Sequence, residues 1–142
     1  MARRELANPR PVIIVVDDDR AVRNSLKFSL EIEGFSVHTY ADSRELFQDE
    51  NLAESSCLVI DHCLPGMTGL DAIARLREKR VLVPAILITT HPTPAMTERA
   101  REACVPMVEK PLLENGLLEQ IQAAVASENS VGCGDAGNRI RT

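Results

Sequence analysis

Four short apolar runs in this chain each end in a group able to do phosphoryl chemistry. Val12-Ile-Ile-Val-Val16 ends in Asp17-Asp18-Asp19, Cys57-Leu-Val-Ile60 in Asp61, Ala85-Ile-Leu-Ile88 in Thr89-Thr90, and Met107-Val-Glu109 in Lys110-Pro111. Adjacent carboxylates such as Asp17 and Asp18 repel each other and call for a counter-charge. A hard divalent cation supplies one, and Mg2+ binds through one or two carboxylates while keeping several waters. Asp61 can join the same cation or act as a nucleophile, since carboxylates form acyl-phosphate intermediates. Lys110 can pair with Asp61 or neutralise phosphoryl oxygens, and the Thr89 hydroxyl can donate to one. Each residue also has an ordinary alternative. The acids could be a solvated turn with Asp19 capping the next helix, and Asp61 could cap its own loop. Thr89 could be a plain β-branched strand residue, and Lys110 a snorkelling surface lysine. The four together, in this order, favour chemistry.

To meet, these groups must lie at one end of a sheet. The β-branched run Val12–Val16 suits a strand buried on both faces. Val22, Leu26 and Leu30 recur at helical spacing over residues 20–33, with Phe28 and Ile32 read as widening the stripe and Gly34 as the stop. Phe35–Tyr40 alternates as an edge strand does, and Asp42 or Ser43 can cap a short helix to about Asp49. Cys57–Asp61 is the next strand. Leu70, Ile73 and Leu76 mark a helix over 69–80, with Gly66 and Gly69 permitting a tight return into it. Pro84–Thr89 is the fourth strand. Pro94 suits the first turn of a helix running to about Ala103. Pro106–Glu109 is a short fifth strand. Leu113, Leu117, Ile121, Ala124 and Val125 line a last helix ending near Ala126. Five strands alternating with five helices predict an α/β fold, a parallel sheet covered on both faces. In such a sheet the carboxyl ends of the strands share the ligand-binding rim.

The chain has 142 residues, of which 44% are hydrophobic and 3% aromatic, so aliphatic side chains must build its core. A net charge of −5 argues against binding nucleic acid or anionic membranes through charge alone. No apolar stretch approaches a membrane span, and the first residues lack the apolar segment of a secretory signal, so a cytoplasmic protein is expected. Cys57, Cys63, Cys104 and Cys133 form no C-x-x-C pair and are expected as reduced, mostly buried thiols. Residues 1–11 read as a flexible lead, 12–126 as the folded domain, and 127–142, rich in Ser, Gly and Asn, as a disordered tail.

The ordered set Val15-Val-Asp-Asp-Asp19, Ile60-Asp61 with Leu64-Pro-Gly-Met-Thr-Gly69, Ile88-Thr89 and Glu109-Lys110-Pro111 resembles that of bacterial response-regulator receiver domains. The resemblance covers about residues 12–126. It implies a flavodoxin-like, doubly wound five-stranded parallel sheet of order 2-1-3-4-5. It also implies Asp61 as phospho-acceptor, with Asp17, Asp18 and Asp61 binding Mg2+ alongside the backbone carbonyl of Cys63. Thr89 and Lys110 are implied as phosphate-sensing partners, and a sensor histidine kinase as the donor. The face formed by the fourth helix, fifth strand and last helix is implied as the partner or homodimer surface. The chain departs from the family in four places. Met107 stands where a tyrosine or phenylalanine is usual, Thr90 follows Thr89 where glycine or alanine is common, Cys104-Val105-Pro106 replaces the usual small-residue turn, and His62 and Cys63 are unusual neighbours for Asp61.

Only 16 residues follow Ala126, too few for a helix-turn-helix domain. The expected output is therefore a downstream protein partner, or an effector domain missing from a receiver fragment. Two other readings compete. One is a receiver-like interaction module independent of phosphorylation, which the intact Asp17, Asp18, Asp61 and Lys110 oppose. The other is an aspartyl-phosphate phosphatase; enzymes of the haloacid-dehalogenase type carry a second acid two residues past the nucleophile as general acid for turnover, where this chain has Cys63.

Overall fold

The computed structural model of the chain describes residues 10–112 and 116–126. Its strands are β1 (Val12–Val16), β2 (Ser36–Tyr40), β3 (Cys57–Asp61), β4 (Ala85–Thr89) and β5 (Met107–Glu109). The helices are α1 (Arg20–Ile32), α2 (Ser43–Phe47), α3 (Gly69–Glu78), α4 (Pro94–Glu102) and α5 (Gly116–Ala126), with a 3-10 turn at Leu52–Glu54. All strand pairings are parallel and the order is β2-β1-β3-β4-β5. The α/β architecture is therefore the one expected, with element ends within a few residues of those read from the sequence.

Alternation along the strands divides the interior in two. Ile13, Val15, Val59, Ile86 and Ile88 point to the face covered by α1 and α5, where they meet Leu26, Leu30, Leu117 and Ile121. Ile14, Val16, Leu58, Ile60 and Leu87 point to the other face and meet Leu46, Leu70, Ile73, Leu76 and Ala100 of α2, α3 and α4. The three central strands are buried almost throughout, as a sheet covered on both sides requires.

Caps start the helices where the sequence placed them. Asp19 Oδ1 accepts from Ala21 N and Val22 N, Asp42 Oδ1 accepts from Glu45 N, and the Thr68 and Thr93 hydroxyls accept from Asp71 N and Met96 N. Gly69 is needed for a close approach. A Cβ there would lie 2.6 Å from the Asp61 carbonyl oxygen, so the first turn of α3 backs directly onto the end of β3.

Two readings need correction. Phe28 and Ile32 do not widen the buried stripe of α1, since they are 70% and 67% exposed. Phe28 lies two residues from both Leu26 and Leu30, and about 100° per residue carries it to the far side of the helix. The cysteines also differ from expectation. Cys57 is a buried free thiol and Cys63 an exposed one, whereas Cys104 is exposed and disulfide-bonded. The lead apart from Arg10 and Pro11, Leu113 of the last helix's stripe, and the tail 127–142 lie outside the described residues. Among the described residues no helix is long and apolar enough to cross a membrane.

Candidate functional site

Strand register brings the four polar ends together. Val16 is level with Ile60, so Asp17 and Asp61 follow side by side at the ends of neighbouring strands. Asp61 is level with Ile88, and Thr89 follows on the next strand. Thr89 is level with Glu109, and the amide of Lys110 donates to the Thr89 carbonyl at 2.8 Å. Residues spread over ninety positions of sequence thus converge because each sits one residue past a strand or at its last position.

Asp17 is fully buried and Asp61 is 4% exposed. The Lys110 ammonium bridges them, 2.9 Å from Asp17 Oδ2 and 3.4 Å from Asp61 Oδ1. The Lys110–Pro111 bond is cis. Asp17 Oδ1 accepts from the Asp19 amide at 2.9 Å, while Arg23 donates to the Asp17 carbonyl at 2.8 Å. Apart from its charge contact with the ammonium, Asp17 Oδ2 has no aligned hydrogen-bond donor, and the buried Thr89 hydroxyl has no partner among the described residues. A buried hydroxyl without a partner, beside a buried carboxylate oxygen met only by the ammonium, is uncommon in native structures and marks a place for a ligand.

The electrostatics agree. Burial, and then the Asp17 carboxylate, push the Asp61 carboxyl up to about 6, with Lys110 pulling against them and Asp18 adding to the push. For Lys110, burial alone would favour the neutral amine, but Asp17 and Asp61 outweigh it and hold the ammonium above its ordinary range. The cluster carries three acids and one base, an excess of negative charge that a cation relieves.

Carboxylate oxygens of Asp17, Asp18 and Asp61 lie within 4.8 Å of one another, a spacing one cation can bridge. Hard oxygen donors, a buried carboxylate oxygen without a well-aligned donor and an exposed third acid suit Mg2+. Cys63 lies in the loop after β3 with its side chain exposed, and its carbonyl accepts no hydrogen bond from another described residue.

Sequence reasoning missed Arg23 and the surroundings of His62. Arg23, one turn into α1, pins the Asp17 backbone, and its place shortly after the acid cluster was the available signal. His62 has a buried Nδ1 with no partner among the described residues. Burial, and then the Arg99 guanidinium, hold its pKa below the ordinary value. No local signal links His62 to Arg99, 37 positions away.

A doubly wound parallel sheet with an acid–lysine cluster at its carboxyl rim places the chain among open α/β proteins that bind a ligand at that rim. Residues 13–122 match the family described as the response regulator receiver domain, and the chain belongs to it. It is 34% identical over 119 residues to Nodulation protein W of Bradyrhizobium diazoefficiens, covering 83% of this chain and 52% of that protein. It is 32% identical over 123 residues to the response regulator protein TodT of Pseudomonas putida, covering 86% and 54% respectively. The chain thus spans about half the length of these relatives. Among solved structures it resembles a CheY-like receiver domain from Methanospirillum hungatei, with a TM-score of 0.76, 25% identity, and coverage of 87% of this chain and 99% of that one.

Proposed function

We propose that Asp61 accepts a phosphoryl group from a phosphohistidine on a sensor histidine kinase, in a reaction that depends on Mg2+. The observation that carries this is the buried Asp17–Lys110–Asp61 bridge beside the unpartnered Thr89 hydroxyl. Asp17, Asp18 and Asp61, with the Cys63 carbonyl, would hold the ion, which when bound offsets the crowded carboxylates and the charge on the phosphoryl oxygens.

The residues divide the work. An Asp61 carboxylate oxygen attacks phosphorus in line as the bond to the histidine nitrogen breaks. With its pKa near 6 the carboxyl is mostly ionised at neutral pH, and so competent as a nucleophile. Lys110 already contacts Asp61 and meets the charge on the equatorial oxygens as they pass through a loose transition state. Thr89 donates its hydroxyl to a phosphoryl oxygen of the product. The chain acts as a switch that catalyses only its own phosphorylation and dephosphorylation, in the cytoplasm. It signals to a downstream partner, a further domain or a second copy through the face of α4, β5 and α5.

Incubation with acetyl phosphate and Mg2+, read by intact mass, tests the reading. One phosphoryl group is expected on the wild type. Equal uptake by Asp61→Asn, or uptake indifferent to Mg2+, overturns it.

A further inference from the structure

Met107, at the position where the family usually has an aromatic residue, carries neither ring nor hydroxyl. It lies half-buried against the core face shared by α2, α3 and α4. A different set of contacts runs continuously from the rim to α4. The first turn of α3 backs so closely onto the end of β3 that a Cβ on Gly69 would lie 2.6 Å from the Asp61 carbonyl oxygen. Gly69 N donates to the carbonyl of His62 at 2.9 Å. Thr68 caps α3 through the amide of Asp71. Asp71 Oδ1 then accepts from Arg99 Nη2 of α4 at 2.8 Å.

That ion pair matters because so little else holds α4. Ala100 is its one buried residue, with Met96 packing partly against the core. Among the described residues, Asp71–Arg99 is the one side-chain hydrogen bond joining α4 to another element of regular structure. His62, the residue after Asp61, is electrostatically coupled to both members of the pair.

We propose that the Asp71–Arg99 ion pair is a latch through which the state of the rim sets the position of α4. This deepens the assignment of Asp61 as acceptor and rests on it. A phosphoryl group turns the Asp61 carboxylate into an acyl phosphate that carries about two negative charges in place of one, and it draws Lys110 and Thr89 toward its oxygens. The end of β3 moves, the first turn of α3 moves with it, and the pair loosens. A weakly packed helix held by one exposed ion pair is a two-state element that such a small displacement can bias.

Hydrogen exchange on the full chain, compared across wild type, Arg99→Gln, Asp71→Asn and the double variant, tests the latch. Circular dichroism confirms that each variant is folded. Without phosphodonor, each single variant is expected to speed exchange of the α4 amides roughly threefold, the size expected on releasing an exposed ion pair. The double variant should show no more than either single one, because both remove the same interaction. Unchanged α4 exchange in Arg99→Gln, or effects that multiply in the double variant, overturns the latch. With acetyl phosphate and Mg2+, the wild type should gain α4 exchange, and Arg99→Gln, already released, should gain much less. Equal gains in the two overturn the latch while leaving the phosphorylation reading intact. If intact mass shows no phosphoryl uptake by the wild type, the acceptor assignment fails instead, and the comparison without phosphodonor still decides whether the pair holds α4.

Discussion

The helices α3 and α4 cover the same face of the sheet and are nearly equal in length, yet they are anchored differently. α3 buries Gly69, Leu70, Ala72, Ile73 and Leu76, and its first turn abuts the end of β3. α4 buries Ala100 alone. Both helices carry four charged residues, but α3 has the large aliphatics Leu70, Ile73 and Leu76 where α4 has only Met96 and small alanines to pack. The contrast assigns roles. An element that positions a reacting carboxylate must be held by the core, whereas an element that reports the reaction must be cheap to move, and mobile elements come from the weakly packed parts of a fold.

The largest effect should fall on the chemistry that α3 supports. Asp61→Asn is expected to abolish phosphoryl uptake from acetyl phosphate, as read by intact mass, since an amide is no nucleophile at this site. Retained uptake would place the acceptor elsewhere and break the link between α3 and the reaction.

Core truncations should sharpen the difference in anchoring. Ile73 of α3 is 1% exposed, and Ile73→Ala should cost about 3 kcal/mol in denaturant unfolding. Met96→Ala on half-buried α4 should cost about 1 kcal/mol or less. Equal costs would mean that the two helices are docked alike.

The acid cluster makes a smaller, pH-dependent contribution. Asp61 titrates near 6 in the folded chain against an ordinary value of 3.8. Between those values the folded state keeps a proton that the unfolded state has lost, so this group's contribution to stability falls as pH rises through about 6. Without metal, Asp61→Asn should therefore be more stable than wild type at neutral pH, by about 2 kcal/mol. The gain should shrink as pH falls below about 6 and vanish near about 4. Thermal melts in chelator across that range decide it, and a gain independent of pH would mean that charge is not its source.

The smallest effects belong to the loop leading into α4. Thr90 is exposed at the rim, and Thr90→Ala should shorten the phosphorylated lifetime modestly by removing bulk beside the acyl phosphate. Met107→Tyr should leave that lifetime nearly unchanged. Phosphate-release time courses check both. A large change on Met107→Tyr would return the relay to β5 and away from the α3 side.

Much of this molecule was legible in one dimension. Hydrophobic runs of four or five residues, each closed by a polar group, marked the buried strands, because a strand covered on both faces must be apolar until it reaches the rim. Asp19, Asp42 and Pro94 marked helix starts, because unsatisfied amides and a fixed φ are local needs. Asp17, Asp61, Thr89 and Lys110 were readable as site candidates for the same reason, since each lies at or one residue past a strand end, whereas Cys63 came in only through the family resemblance. The strand order that sets them side by side came through resemblance to a known family rather than from pattern.

What only the tertiary structure decided involves partners that no local rule brings together. The exposure of Phe28 and Ile32 depends on which side of α1 the sheet covers, and generous apolar content disguised it. Lys110 could have met Asp61 alone, and it bridges to Asp17 as well because β5, β4, β3 and β1 stand in that order with their ends level. The Asp71–Arg99 pair spans 28 positions between two helices, and charges on exposed helix faces carry no mark of the partner they will meet. Apolar periodicity and capping are imposed by a residue's near neighbours and so are written in sequence, whereas the distance between two charges is set by how whole elements pack, which exists only once the chain has folded.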